Sequence, residues 1–138
     1  MNRILVAVSS QWAANRFIEP VTNLARGMNA SVVVTHVSRP SGGQQREQEQ
    51  AEGEQAVESL AQRLDGRGIK TDTVILFADD IPKAILDIAT EREVSLIMLG
   101  LTGKGIFSRL IAGNVPVELI RETKVPVLLV PPDWDKAF

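Results

Sequence analysis

The sequence predicts a three-layer α/β sandwich around a five-stranded parallel sheet with the strand order 3-2-1-4-5. Five short runs of aliphatic and β-branched residues have the composition of strands that are buried on both faces. Between them lie four segments in which apolar residues recur at helical three- and four-residue steps. Strict alternation of strand and helix implies right-handed crossovers, which place helices on both faces of a parallel sheet.

The five predicted strands are apolar runs of five to eight residues. They are Arg3–Val8, Ser31–Val37, Lys70–Phe77, Ser95–Leu99 and Val125–Val130. The fifth run is expected to lie at an edge of the sheet, where exposed main-chain groups invite pairing with another strand.

The four predicted helices cover Trp12–Met28, Gln48–Leu64, about Ile81 to Arg92, and Val115–Glu122. The first contains Pro20, so either the helix begins near Glu19 or a longer helix kinks at the proline; the unbroken apolar rhythm favours the kinked, longer helix. The polar, glycine-containing stretch Arg39–Gln50 is expected to be a mobile loop, and 131–138 an irregular tail. Asp79 and Asp80 precede the third helix and are expected to cap it rather than to bind metal.

Length and charge limit the classes of protein to which the chain can belong. Its 138 residues suit one domain, 1–138, and the absence of cysteine excludes disulfides, thiolate metal sites and cysteine nucleophiles. The net charge is −2 without a basic stripe, so no nucleic-acid partner is expected. No apolar run approaches the roughly 20 residues of a membrane helix, and no signal peptide is recognisable, so we expect a cytoplasmic protein that is not membrane-embedded.

The segment Gly100–Gly113 is the strongest candidate for a binding site. In the predicted strand order, ligands bind at the carboxyl ends of strands one and four, which are followed by Ser9–Gln11 and by this segment. Glycines after a buried strand let main-chain N–H groups approach an anion, and Gly113 stands before a helix whose first N–H groups attract phosphate. On spacing alone, glycines that merely form a tight strand exit and helix entry are an equally good explanation.

The motif formed by Gly100, Gly103 and Gly113 resembles the nucleotide motif of the universal stress protein family. Two residues separate the first pair and nine the second, and Asn114, a small polar residue, follows. The likeness extends to the opening run Ile4–Val8, to the strand ending Thr35–Val37, to the pair Gly103-Lys104 and to the closing run Val125–Val130. It implies a Rossmann-like, adenine nucleotide alpha hydrolase-like fold and membership of the ATP-binding branch.

The resemblance also implies a set of site residues. The amides of Gly100, Gly103, Gly113, Asn114 and Val115 would hold the triphosphate of ATP, accompanied by Mg²⁺, and Lys104 is the best cation to approach it. The main chain near Val37 would meet the adenine edge, while Ala7, Val8 and Ser9 would flank the adenosine. The chain departs from the family at Ser9, where Asp is usual, and at Asn114, where Ser or Thr is usual.

No catalytic constellation is recognisable, and no metal-ligand cluster. The only histidine, His36, could serve as a general base, but its position near a strand end favours a packed side chain. The sequence is therefore interpreted as a nucleotide-binding stress-response regulator with at most slow, incidental ATPase activity. The family resemblance implies a homodimer paired through Val125–Val130. Two alternatives stay open: a dimeric adaptor that binds no nucleotide, and a cytoplasmic regulatory partner of a membrane transporter.

Overall fold

The computed structural model describes residues 2–9, 11–40, 43–100, 115–131 and 134, and the side chains of all of these except residues 11, 12, 45 and 46. Five strands form one parallel sheet in the order β3-β2-β1-β4-β5, which confirms the predicted topology. The strands are β1 (Asn2–Ala7), β2 (Ala30–Ser38), β3 (Thr71–Phe77), β4 (Leu96–Gly100) and β5 (Val127–Val130). The central strand β1 pairs with β2 on one side and with β4 on the other.

Four helices of the described chain connect these strands. They are α1 (Gln11–Met28), α2 (Gln44–Gly66), α3 (Ile81–Glu91) and α4 (Val115–Glu122). Helix α1 continues through the buried Pro20, which confirms the longer of the two predicted helices. Its apolar face explains this continuity, because Phe17, Ile18 and Val21 on either side of the proline are all buried against the sheet.

The helices divide the core into two apolar layers, one on each face of the sheet. Buried side chains of α1 and α2, such as Val21 and Leu60, pack with Ile4, Val6 and other residues of one face. Helices α3 and α4 contribute Ile85, Leu119 and further side chains to the other face. The two layers follow from the strand period of two, because successive residues of β1 point to opposite faces.

Helix α2 begins earlier than predicted. The predicted loop Arg39–Gln50 is shorter in the structure, because residues 44–50 already belong to the helix, which follows Gly43 with φ 81°. Glutamine, glutamate and arginine are good helix formers and need no apolar face at a helix end, so the apolar periodicity gave no signal there. The helix ends at Gly66, two residues beyond the predicted Leu64. In the turn that follows, Gly68 has φ 80° and the Ile69 N–H bonds to the Leu64 carbonyl at 3.1 Å.

Strand β5 begins two residues later than predicted. Val125 and Pro126 lie outside it, although the Pro126 carbonyl accepts a bond from the Ile97 N–H at 2.9 Å. Proline has no N–H with which to continue a ladder, which explains why the regular strand begins after it. At the opposite edge, β3 is partly exposed along its length, and Phe77 is 53% exposed.

Helix α3 begins as its sequence predicts. The Asp80 side chain accepts a hydrogen bond from the Lys83 N–H at 3.1 Å, and Pro82 lies in the first turn. Asp80 is therefore a helix cap, and Asp79 beside it is exposed. In the described part of the chain no helix combines the length and the apolar composition needed to cross a membrane.

Candidate functional site

The carboxyl ends of β1 and β4 lie side by side at the centre of the sheet. Ala7 pairs with Leu99 across the two strands, and with Thr35 of β2 on its other side. The strand order reverses here, since β2 and β3 continue on one side and β4 and β5 on the other. Such a reversal opens a crevice beyond the strand ends, where ligands of doubly wound sheets bind. The sequence prediction for the location of the site is consistent with this geometry.

Val8 directs its main-chain polar groups into the protein. Its N–H bonds to the Thr35 carbonyl at 2.9 Å, and its carbonyl oxygen lies 2.9 Å from Nδ1 of His36. With both groups of Val8 used internally, the exposed Ser9 is the first residue after β1 with polar groups that a ligand can reach. Val8 is only 4% exposed and packs in the core, while Ala7 is partly buried at the end of β1.

The main chain of Val37 faces the end of β1. Residues of a parallel strand bond alternately to the two neighbouring strands. Val32 donates to Lys70 and Ser38 accepts from Ala78, so the even-numbered residues of β2 bond towards β3. Thr35, and therefore Val37, bond towards β1. The N–H and carbonyl of Val37 point to that side one step beyond the Val8–Thr35 bond, where β1 has ended.

His36 fills the space between the end of β1 and helix α2. The ring is only 8% exposed, and it lies so close to Gly53 that any Cβ at position 53 would overlap it. The Val8 oxygen can only accept, so Nδ1 carries the hydrogen of this bond. His36 is therefore a packed side chain, which was the favoured alternative to a general base in the sequence prediction. The sequence did carry a sign of this contact, because Gly53 is an isolated glycine within a helical pattern, and such a glycine can mark close packing.

Gly100 lies at the end of β4 beneath an aromatic ring. A Cβ at this position would lie 2.5 Å from Cζ of Phe17, which is buried and belongs to α1. The sequence attributed Gly100 to the approach of an anion, whereas here the space that its side chain would fill is taken by Phe17. Phe17 lies within the predicted first helix, but nothing in the sequence indicated this contact.

The remaining predicted site residues divide into two groups. Val115 is the first residue of α4, a helix that packs against α3 and is anchored by the fully buried Leu119. The positions Gly103, Lys104, Gly113 and Asn114 lie outside the described residues. The structure thus brings together Ala7, Val8, Ser9, Val37 and Gly100 at the carboxyl edge of the sheet.

An open groove of about 520 Å³ lies elsewhere, between the outer surfaces of α1 and α2. Arg67 and Glu19 form an ion pair of 2.6 Å within it, and Arg63 donates to Asn15 at 3.1 Å. The hydrogen bond from Arg67 lowers the pKa of the Glu19 carboxyl below its usual value. The groove is lined by residues of α1 and of the C-terminal end of α2, whereas the crevice is formed by strand ends, where main-chain groups can recognise a ligand.

Among the described residues, acidic and histidine side chains do not gather at the crevice. In the ranges that the structure describes, no three such residues are grouped as metal ligands would be. Asp80, which the sequence brought into consideration as a ligand, is used by the cap of α3.

Comparison with known proteins agrees with the fold. The family model described as "Universal stress protein family" matches residues 1–131. A universal stress protein of Methanocaldococcus jannaschii is 30% identical over 80 residues, which are 57% of this chain and 46% of that protein. The match thus spans about half the length of that curated relative.

Two solved structures from Archaeoglobus fulgidus share the fold. A universal stress protein has a TM-score of 0.73 at 23% identity, covering 94% of this chain and 98% of the other. A second, a universal stress protein in complex with dAMP, has a TM-score of 0.69 at 22% identity and the same coverage of both chains. With the family model matching nearly the whole sequence, the chain belongs to the universal stress protein family.

Proposed function

We propose that the chain, as one domain over residues 1–138, is a regulatory module that binds ATP in the crevice between β1 and β4. The observation that carries this proposal is the orientation of the Val37 main chain, whose N–H and carbonyl face the crevice beyond the end of β1. Adenine presents an amino donor beside a ring-nitrogen acceptor, so it can bond to a main-chain carbonyl and to the N–H beside it at the same time. Guanine presents a carbonyl acceptor in place of the amino group, so the pair favours adenine.

The phosphates lie along the glycine segment in this proposal. The amides of Gly100, Gly103, Gly113, Asn114 and Val115 would hold them, and Lys104 would add positive charge. Support comes from Val115, because it begins helix α4, and the first N–H groups of a helix attract anions. Mg²⁺ would be bound through the phosphate oxygens, and Ser9, which has no carboxylate, would meet the sugar by a neutral hydroxyl.

A relative with a similar fold adds support, since one of the similar structures is a complex with dAMP. A dinucleotide or polymer would need a longer groove or a basic surface, and the sequence carries a net charge of −2 without a basic stripe. We therefore propose an adenine mononucleotide as ligand and a cytoplasmic site of action, without nucleic-acid partners.

The proposed activity is regulatory rather than catalytic. Phosphoryl transfer needs a group that positions the attacking water or hydroxyl, together with strong neutralisation of charge. His36, the one histidine, is committed to the Val8 carbonyl and packed against Gly53. We expect ATP turnover to be slow and incidental, and we expect the signal to come from the different stabilities of the bound and free states.

Calorimetry on nucleotide-stripped protein, with and without Mg²⁺, tests the proposal. We expect micromolar binding of ATP, weaker binding of GTP, and loss of both in the variant Gly113→Val. The matched control is Gly27→Val, at an exposed helical glycine where an added Cβ meets no atom outside its own helix within 4 Å. Folded, stripped wild-type protein that takes up no ATP at millimolar concentration would reject nucleotide binding and leave the adaptor function as the better explanation.

The second candidate function, a homodimeric adaptor, is favoured by an apolar surface at the β5 edge. Val117 and Ile120 of α4 are 45% and 50% exposed, and Val127, Leu128 and Leu129 of β5 are only partly buried. Exposed large apolar side chains beside an open strand edge favour association with a second copy. We propose pairing through Val125–Val130, with Pro126 limiting the number of main-chain bonds.

Light scattering tests the dimer. We expect a dimeric mass for the wild type and a monomeric mass for Ile120→Glu. The variant Phe77→Glu is the matched control, because Phe77 is 53% exposed at the opposite edge of the sheet. A dimer that survives Ile120→Glu but not Phe77→Glu would place the interface on β3 instead. A transporter partner, the third alternative, would be indicated by co-purification with a membrane protein.

A further inference from the structure

The imidazole of His36 occupies a hydrogen-bonding position that the sheet would otherwise fill from its own main chain. In a parallel ladder, the bond from Val8 to the Thr35 carbonyl is followed by a bond from the Val37 N–H to the Val8 carbonyl. The structure has the first bond, at 2.9 Å. At the second, the Val8 carbonyl is 2.9 Å from His36 Nδ1, and no main-chain donor among the described residues bonds to it.

We propose that His36 is a positioning residue that keeps the Val37 N–H available to the nucleobase. The imidazole donates a hydrogen bond to the Val8 carbonyl from the α2 side of the sheet. Because that carbonyl is then satisfied, β1 and β2 need not extend their ladder by the bond from the Val37 N–H. A buried carbonyl without a partner is costly, and without His36 the Val37 N–H is the donor that a continued parallel ladder would bring to it. The inference rests on the proposed function, because it assigns the freed N–H to adenine.

Helix α2 holds the imidazole in the required orientation. Gly53 lies against the ring so closely that even a methyl group there would overlap it, and the ring is 8% exposed. The opposite orientation, with Nδ1 turned away from Val8, would leave both the ring nitrogen and the carbonyl without this bond. The hydrogen bond to Val8 therefore selects this orientation, and the packing against α2 keeps the ring in place.

The consequence for ligand recognition is selectivity for the base. With its N–H free, Val37 offers a donor and an acceptor side by side, which matches adenine. With the N–H bonded to Val8, only the carbonyl remains, and the ring nitrogen of adenine loses its partner. The phosphates do not depend on this pair. Loss of the His36 donor should thus weaken the binding of the base while leaving the binding of phosphate unchanged.

Two nearly isosteric substitutions separate the donor from the volume of the ring. In His36→Asn the side-chain amide can take the place of Nδ1 as a donor, whereas His36→Leu has no donor. We expect ATP to bind about five- to tenfold more weakly to His36→Leu than to His36→Asn, the change associated with one net hydrogen bond. Tripolyphosphate should bind to both variants with the same affinity within about twofold.

Hydrogen exchange on the nucleotide-free protein gives a second readout that does not require binding. We expect the Val37 amide of the wild type and of His36→Asn to exchange about tenfold or more faster than that of Thr35, which faces the same strand. In His36→Leu the Val37 amide should become protected, because it closes onto Val8. A merely structural histidine would instead raise the exchange of all the neighbouring amides together.

The outcomes distinguish this inference from the proposed function. A wild type that binds neither ATP nor tripolyphosphate overturns the proposed function, and the exchange of Val37 then decides the role of His36. A Val37 amide that is as protected as Thr35 in the wild type overturns the inference, whatever the nucleotide does. This comparison needs no variant, so it stays decisive if His36→Leu does not fold.

Discussion

The ring of Phe17 covers the side of Gly100 on which any other residue would carry its side chain, with Cζ 2.5 Å from the ideal Cβ position. The two residues are 83 positions apart in the sequence and join helix α1 to the last residue of β4. Phe17 is 2% exposed, so the ring has little room in which to move.

We expect Gly100→Ala to destabilise the fold by about 1–3 kcal/mol, because the added methyl group overpacks the core against Phe17. Chemical denaturation measures the effect. Adding Phe17→Leu should recover much of the loss, which would appear as a favourable coupling in a double-mutant cycle. Gly27→Ala is the control, since it meets no atom within 4 Å and should be neutral or slightly stabilising. Equal effects of Gly100→Ala with and without Phe17 would contradict the contact.

A second overpacking experiment concerns Gly53. Its alanine variant should lose about 1–3 kcal/mol of stability, because the methyl group collides with the His36 ring. The smaller side chain of His36→Asn should relieve the collision in the double variant. Gly66→Ala, in the same helix but in open space, is the matched control. Thermal unfolding of the four proteins checks the prediction, which fails if Gly53→Ala melts like Gly66→Ala.

Asp80→Ala should lower stability by about 1 kcal/mol, because the first turn of α3 loses the acceptor of the Lys83 N–H. Asp80→Asn should be nearly neutral, since asparagine also caps helices. The neighbouring Asp79 is exposed, and Asp79→Ala serves as a control of equal charge. Urea midpoints report the differences, and a larger effect for Asp79 than for Asp80 would show that net charge, not capping, is responsible.

The ion pair between Glu19 and Arg67 predicts a small, pH-dependent contribution to stability. The hydrogen bond from Arg67 lowers the pKa of Glu19 in the folded chain relative to the unfolded chain. The contribution is therefore fully present above the unfolded pKa and is lost as the pH falls through the folded pKa. The difference in melting temperature between the wild type and Glu19→Gln should be small at neutral pH and vanish in acid.

Salt provides the control for this pair. Both side chains are substantially exposed, so high salt should shrink the difference at neutral pH. A difference that grows as the pH falls would mean that the substitution acts through packing or helix propensity instead of through the charge.

The sequence predicted the parts of the fold that depend on local pattern. Runs such as Ile4–Val8 could be recognised because a strand buried on both faces has no polar alternation. The Asp80 cap could be recognised because this residue immediately precedes a helix with proline in its first turn. The start of α2 at Gln44 could not be predicted in the same way, since its first turns bury no apolar face.

The site could be located from the sequence but not assembled from it. The position of the crevice follows from strand order, whereas the availability of the Val37 N–H depends on where β1 ends relative to β2 and on which residues of β2 bond to which side. The contacts of Gly53 and Gly100 each join residues that are distant in the sequence. A glycine in the sequence indicates that space is limited at that position, but it does not indicate which side chain limits it.

The contact between His36 and Gly53 also constrains how this sequence can diverge. A side chain at position 53 fits only after the ring at position 36 has been replaced, so the substitution at position 36 has to come first. The first of them removes the imidazole donor to Val8 before any new side chain on α2 can compensate for it. Descendants with a histidine at 36 are thus expected to keep glycine at 53, and those that lack one are free at both positions.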